Sequence, residues 1–354
     1  MITVKIVGAG SIGNHLAHGA RQLGWSVTMT DLDPAALERT RSDIYPGRYG
    51  HWDEAIRLAS PAEVATEHFD VVVLGTPPDS HVALALQELE QSAPRIVLIE
   101  KPLCPPDLSP CARLRDAAAA AGARVLVGYN HRLTRHTLLA TEWLDRLGVG
   151  EVTTIRAMTR EHWGGIFAAH PWLAGPADTY LGFTERGGGA LLEHSHAVNI
   201  WQYFAGLVGC GRIVEVACML DEVERDGAAY DRIAQLSVRT ENGLTGTIVQ
   251  DVVTRPAQKW ARVEGTEGFL EWQVSVDADH DLTRLVRHEG GGREERVRKT
   301  RPDDFRGELE HIRHLLDHPQ ASSPIDLEAG IETMRVIVAA LQSSREGRFV
   351  RLED

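Results

Sequence analysis

A glycine-rich loop, and a carboxylate placed to meet it, hold the most specific chemistry in the chain. Gly8-Ala9-Gly10-Ser11-Ile12-Gly13 is followed, 18 residues after its last glycine, by Asp31. A diphosphate needs a backbone that it can approach closely and N–H groups that point at it. Gly8 permits the tight turn, Gly10 leaves room for a pyrophosphate, and Gly13 lets a helix and a strand pack closely. The helix that opens near Ser11 and Ile12 adds the positive end of its dipole. Asp31 can accept hydrogen bonds from the hydroxyls of an adenine ribose. Its charge would repel a 2′-phosphate and no arginine directly follows it, so the pattern favours NAD over NADP.

Particular elements must carry those residues. Val4 to Val7 is a β-branched run that reads as a buried strand. The segment 14–23 puts Leu16, Ala17, Ala20 and Leu23 on one helical side, and Gly24 stops it. Residues 25–30 read as a second strand ending at Asp31. Alternation continues with a short helix over 34–44 and helical patches at 53–59 and 61–67. Strand 71–74 then runs into Gly75-Thr76-Pro77-Pro78, and Asp79 caps a helix to about Gln91. Strand 95–99 ends in Glu100-Lys101-Pro102, and a helix over 108–121 precedes strand 123–127. Strands separated by helices predict an α/β fold, a doubly wound parallel sheet with ligands beyond its C-terminal strand ends. Thr76, Pro77, His81, Glu100 and Lys101 cluster at such ends, and are candidate cofactor contacts.

After about residue 150 the texture changes. Longer strands are expected at 151–159, 213–219, 232–239, 245–253, 259–264 and 268–276, with turn signals such as Glu241-Asn242-Gly243 between some of them. This predicts an α+β domain with an open, mostly antiparallel sheet and one inserted helix over 190–204. Two helices close the chain, at 304–316 and 327–343. The expected division is a dinucleotide-binding domain over 1–124 and a substrate-binding and oligomerisation domain over 125–354, with the helix at 327–343 a candidate to pack back on the first.

The bulk composition narrows the function classes. The chain has 354 residues, 43% hydrophobic and 25% charged, with a net charge of −13. That charge offers no basic surface for nucleic acid or an anionic membrane. The first residues read as a strand rather than a signal peptide, and no apolar run approaches a membrane span, which predicts a cytoplasmic protein. Cys104, Cys111, Cys210 and Cys218 form no CxxC pair and read as free thiols.

Taken together, Gly8–Gly13, Glu100-Lys101-Pro102, Gly128-Tyr129-Asn130-His131-Arg132 and Gly187-Gly188-Gly189-Ala190-Leu191-Leu192 resemble the glucose-fructose oxidoreductase/inositol dehydrogenase/rhizopine-catabolism (Gfo/Idh/MocA) family. Leu147-Gly148-Val149-Gly150-Glu151 and Gly347-Arg348-Phe349-Val350 extend the resemblance over almost the whole chain. It implies an N-terminal Rossmann domain, a C-terminal open sheet, and dimers or tetramers built through that sheet. It also implies oxidation or reduction of a hydroxyl carbon on a sugar, sugar derivative or cyclitol with NAD(P). The family lysine maps onto Lys101, next to a proline whose peptide is often cis, and the family histidine maps onto His196. The run departs from the common pattern: Glu193 stands three residues before His196, where many relatives have an aspartate four before, and Asn199 three after.

Alcohol oxidation needs a base, a cation for the developing alkoxide, and a fixed nicotinamide. With an ordinary pKa of about 6.5, His196 can take the proton, and Lys101 can supply the charge. On one continuous helix Glu193, His196 and Asn199 would share a sector roughly 120° wide, and would meet substrate together. His162, Trp163 and Asn130 are further candidate substrate contacts, with Asn130 beside the nicotinamide as well. His194 and His196 would point about 160° apart on a helix, and HExxH is absent, so no metal is expected despite 16 histidines. Two other readings share the cofactor: an NAD-dependent glycosidase using transient oxidation, and a non-catalytic dinucleotide-binding regulator.

Overall fold

The computed structural model describes residues 1–168, 170 and 172–352. The chain divides into two compact units. One comprises Met1–Cys104, Leu108–Asn130 and Thr300–Gly330; the other comprises Pro105–Asp107, His131–Lys299 and Ile331–Asp354. The boundary therefore falls at 130/131 rather than 124/125. The segment returned to the first unit is 300–330, not the helix at 327–343 as a whole.

The first unit opens with β1 (Thr3–Val7), α1 (Ser11–Gln22), β2 (Ser26–Thr30), α2 (Pro34–Arg39) and α3 (Tyr45–Tyr49). It continues with β3 (Ile56–Ala59), β4 (Val71–Leu74), α4 (Pro78–Gln91), β5 (Ile96–Ile99), α5 (Ser109–Ala121) and β6 (Arg124–Val127). Six parallel strands pair in the order β3-β2-β1-β4-β5-β6. Val71–Leu74 and Ile96–Ile99 are buried throughout, as expected of strands covered on both faces. The strand order reverses between β1 and β4, whose C-terminal ends run into Gly8 and Gly75; ligands of doubly wound sheets bind at that reversal.

Two local expectations change. Residues 53–59 do not form a helix, because Ile56–Ala59 pairs in register with β2 (Val27↔Ile56) and buries Ile56 and Ala59. Pairing overrides a local pattern too short to declare itself. Residues 61–67 supply only a 3₁₀ turn, Pro61–Val64, closed by a reciprocal Ser60–Glu63 capping box.

The second unit contains α6 (Arg135–Arg146), β7 (Val152–Arg160), α7 (Gly164–Ala168), α8 (Gly189–Glu193) and α9 (His196–Leu207). Its later strands are β8 (Ile213–Arg225), β9 (Ala228–Thr240), β10 (Thr245–Asp251), β11 (Gln258–Gly265), β12 (Gly268–Val274), β13 (His280–Arg287) and β14 (Gly292–Arg298). α10 (Arg301–Asp317) belongs to the first unit, where it packs on α1; Gly19 makes room, since a Cβ there would lie 3.1 Å from Leu309. α11 (Leu327–Glu346) starts in the first unit and continues in the second, followed by β15 (Val350–Arg351).

Nine strands form a mixed sheet in the order β14-β13-β12-β11-β7-β10-β9-β8-β15, antiparallel except for the β7–β10 pair. α9 packs on β7, β10 and β11, and α6 on β12, β13 and β14. Trp201 is fully buried there and donates its indole N–H to Ile155 O at 2.8 Å. Where β8, β9 and β10 pair near Val216–Met219, Gln235–Val238 and Thr247–Ile248, burial alternates, with Val216, Leu236, Val238 and Ile248 buried and Met219, Gln235, Ser237 and Thr247 on the other face. Among the described residues no helix is long and apolar enough to cross a membrane.

The single helix expected over 190–204 is two. α8 ends at Glu193 and α9 begins at His196, with His194 leaving helical geometry at the break. Glu193, His196 and Asn199 therefore do not share one helical sector.

Candidate active site

The glycine loop is shaped by backbone. Gly8 has φ +105°, and a Cβ there would fall 2.7 Å from Gly75 O; a Cβ on Gly13 would fall 2.1 Å from Gly8 O. At Gly10 nothing lies within 4 Å of that position, so the loop is closed on the protein side and open where a diphosphate would approach. The loop carbonyls are drawn inward. Asn14 Nδ2 donates to Gly10 O at 2.8 Å, and Thr40 Oγ1 donates to Ala9 O at 2.8 Å. That leaves the N–H groups of the α1 terminus for an anion. Asp31 is held by two backbone donors, Ala9 N–H at 2.8 Å and Asp33 N–H at 2.9 Å. A carboxylate so fixed still has lone pairs for ribose hydroxyls. The loop thus fits a dinucleotide; Asn14 and Thr40, its buttresses, carry no motif that would flag them.

The other expected cofactor contacts separate by role. Thr76 Oγ1 and Ser80 Oγ are 2.7 Å apart, while Pro77 caps α4 and its carbonyl accepts from Ser80 Oγ. His81 is buried, with Nε2 at 2.8 Å from Thr76 O and Nδ1 at 3.0 Å from Pro102 O. It ties the β4 loop to the loop carrying Lys101, and burial lowers its pKa against those carbonyl contacts. A neutral ring can donate to only one of the two oxygens at a time. Glu100 is buried and Lys101 half-buried, and the Lys101–Pro102 peptide is cis. Glu100 Oε1 lies so near Gly128 that a Cβ there would come within 3.0 Å of it. Asn130 closes the first unit at the start of a 3₁₀ turn, Asn130–Leu133.

Sequence reasoning passed over Glu308, on α10. It is fully buried, and neither carboxylate oxygen has a hydrogen-bond partner among the described residues. Burial first, then the charges of Glu100 and Asp304, hold its carboxyl well above the usual range, so Glu308 keeps its proton.

In the second unit His196 begins α9, half-buried. Its imidazole stacks on that of His131, centroids 4.2 Å apart and planes 21° from parallel. His131 touches Trp272 at 5.7 Å, Trp272 stacks on His136 at 4.9 Å, and His136 Nδ1 lies 3.1 Å from Asp281 Oδ2. Lys299 Nζ closes the column on the same oxygen at 2.8 Å. Burial, reinforced by His196, Lys299, Lys259 and His136, pushes the His131 pKa well below its ordinary value, so this ring is neutral. Nearby, Glu161 accepts from Lys259 at 2.8 Å and lies 3.8 Å from His194 Nδ1. His131, Glu161 and Lys259 come from three separate elements, and no spacing along the chain announces that they converge.

The other candidate substrate contacts have partners within the second unit. Tyr180 donates to Glu193 Oε2 at 3.1 Å. Asn199 is buried, donates to Thr333 Oγ1 at 2.9 Å, and accepts at its carbonyl from Arg132 at 2.7 Å. Trp163 packs in an apolar cluster with Leu181, Ala190 and Val252, 4.8 Å from the Tyr230 ring. His162 Nδ1 accepts from Gly164 N–H at 2.8 Å and sits 2.9 Å from Arg255.

Comparison with known proteins follows the two units closely. Residues 2–129 match the family model described as the oxidoreductase family, NAD-binding Rossmann fold. Residues 137–271 match the GFO/IDH/MocA C-terminal domain. The 1-carboxy-3-chloro-3,4-dihydroxycyclohexa-1,5-diene dehydrogenase of Comamonas testosteroni is 28% identical over 225 residues, covering 63% of this chain and 50% of that protein. The inositol 2-dehydrogenase of Rhizobium meliloti (strain 1021) is 24% identical over 246 residues, covering 67% of this chain and 65% of that one. The chain thus spans between half and two thirds of the length of these curated relatives. An NAD-binding oxidoreductase from Klebsiella pneumoniae has the same fold, with a TM-score of 0.77 at 19% identity over 100% of this chain and 99% of its own.

Proposed function

The chain belongs to the GFO/IDH/MocA oxidoreductase family, and on that premise we propose that it is an NAD-dependent dehydrogenase or reductase acting at a hydroxyl-bearing carbon of a sugar, sugar derivative or cyclitol. The observation that carries the reading is the glycine cradle, closed by backbone behind Gly8 and Gly13, open at Gly10, and flanked by an Asp31 carboxylate pinned to Ala9. The substrate class is supported by the two relatives, both named for dehydrogenation of ring compounds that carry hydroxyls.

Bound in the cradle, NAD supplies the hydride acceptor. Gly10, Ser11, Ile12 and Gly13 would hold its pyrophosphate, and Asp31 would hold the adenine ribose. His196 takes the hydroxyl proton, its plane set by the neutral His131 ring. Lys101 Nζ stabilises the charge that develops on the substrate oxygen. Asn130 and Glu193 are retained as candidate substrate contacts; the engagements of His162, Trp163 and Asn199 weigh against such a role. A homodimer or homotetramer in the cytoplasm completes the reading. Its oligomeric part is supported by the sheet face bearing Met219 (76% exposed), beside Phe349 (54% exposed).

The test is a panel of sugars, sugar acids and cyclitols with NAD, read by absorbance at the NADH band, together with the reverse panel of ketones with NADH. At least one compound is expected to give turnover proportional to protein. A protein that binds NADH yet turns over nothing in either direction overturns the reading.

A further inference from the structure

Arg48 lies in a stretch that no motif singles out. Its Nη1 donates to Ser11 O at 2.9 Å, and its Nη2 to Ser11 Oγ at 2.8 Å. Ser11 is the first residue of α1, directly after Gly10. A guanidinium therefore sits at the helix terminus that the glycine loop leads into.

The local sequence explains how it gets there. α2 runs without interruption through a π turn, Thr40–Ile44, into α3. Pro46 has no N–H for the carbonyl of Ser42, and its ring crowds that carbonyl, which a widened turn relieves. A π turn inserts one residue into a helix. The eight residue-to-residue steps from Thr40 to Arg48 then cover about seven steps of α-helix, close to two full turns. Without the insertion the two side chains would diverge by about 80°. With it, both reach the glycine loop from one side: Thr40 bonds Ala9 O and Arg48 bonds Ser11.

The charge balance calls for such a group. A pyrophosphate brings two negative charges to a protein of net charge −13, beside Asp31 and Asp33. The helix terminus offers only about half a positive charge. Ser11 Oγ accepts from Arg48, so its own O–H is left to donate outward.

We propose that Arg48 is a phosphate-binding residue of the dinucleotide site. It brings its positive charge to the pyrophosphate and sets the Ser11 hydroxyl as a second donor. A planar guanidinium suits phosphate oxygens and stays charged while it donates to Ser11. This rests on the NAD-binding reading of the cradle, and is separable from it.

The experiment is a fluorescence titration of the whole protein with NADH, with ADP-ribose and adenosine as competitors. Wild type is compared with Arg48→Met, which keeps the aliphatic stem, and with Arg48→Lys, which keeps the charge. Arg48→Met is expected to weaken NADH and ADP-ribose about 10- to 100-fold, the worth of a charge-assisted hydrogen bond. Adenosine should change less than about threefold, and Arg48→Lys should recover part of the loss. The salt dependence of NADH binding should flatten in Arg48→Met. Should Arg48→Met not fold, Arg48→Lys still decides, because losing the planar fork must weaken ADP-ribose more than adenosine. Equal NADH affinity in wild type and variants overturns the proposal alone. So does an equal loss for adenosine, which would make Arg48 a brace for Ser11. A wild-type protein that binds no dinucleotide overturns the cofactor reading and the proposal together.

Discussion

His131 and His196 lie face to face, 4.2 Å between ring centroids and 21° between planes, although they are 65 residues apart in the chain. His131 is held neutral by its burial and by the positive charges around it. A neutral ring can stack on an imidazolium without adding a second charge, so the pair is suited to taking one proton, on His196. Behind it the column continues through Trp272 and His136 to the Asp281–Lys299 ion pair, which limits how far the His131 ring can swing.

His196→Ala is accordingly expected to lower kcat by about 10²–10⁴-fold, the usual worth of a positioned base, with NAD affinity unchanged. His131→Phe keeps a flat neutral ring and should retain most activity; His131→Ala should not. A His196→Ala enzyme keeping more than about a third of normal kcat moves the base elsewhere, most directly to Lys101.

For Lys101→Ala the expected loss is about 10²–10³-fold in kcat, as for removing one group that stabilises transition-state charge. If Lys101 and His196 serve one step, the double variant is scarcely slower than the slower single variant. Additive losses in kcat would separate their roles.

The reach of sequence reasoning followed the range of the interactions involved. Gly8 to Asp31 was legible because strand, turn, helix and carboxylate are set by local chemistry. The break after Glu193 was not: no glycine or proline marks it, and the helical pattern runs on to Phe204. Ile56–Ala59 became a strand only because β2 offers it an edge. Glu308 is fully buried yet reads along the chain as an ordinary helical acid, and α10 joins the first unit from beyond residue 300. His131 stood in a recognised motif, but its stacking partner depends on a fold that brings α9 beside it.

Asp31 predicts cofactor choice. Its carboxylate would meet a 2′-phosphate at close range, so NAD(H) should bind at least about tenfold more tightly than NADP(H), roughly 1.4 kcal/mol. Calorimetric dissociation constants check this, and Asp31→Ser should narrow the gap. Equal constants in wild type would remove Asp31 from the selection of cofactor.

The sheet face opposite α9 predicts assembly. Met219 and Phe349 border a groove of about 480 Å³ with Val249 and Ser237. Exposed apolar side chains gathered on one sheet face mark a contact surface. Light scattering at micromolar concentration should return a multiple of 39.0 kDa, and Met219→Glu with Phe349→Glu should lower it. A wild-type monomer would contradict the homo-oligomer.

Asp231 predicts how stability changes with pH. Gly189, at φ +83°, passes so close that a Cβ there would lie 2.1 Å from Asp231 Oδ1, and Leu191 N–H donates to Oδ2 at 2.7 Å. The carboxylate thus ties the start of α8 to β9. Burial nevertheless outweighs that hydrogen bond and pushes the pKa up to about 6. The unfolded value is about 3.9. Between those values the folded protein holds a proton that the unfolded chain has released. The stability this contributes is complete below pH ~4 and is lost as pH rises through ~6. For a group this buried, the gap between the unfolded and folded values corresponds to about 3 kcal/mol. Asp231→Asn keeps an acceptor oxygen for Leu191 and removes the titration. Denaturant unfolding of both proteins from pH 4 to 7 cancels the other acids, and should show wild type losing ground to the Asp231→Asn variant by about that amount. A difference that stays flat over this range would mean that the carboxyl titrates alike in both states and that its burial carries no pH-dependent cost.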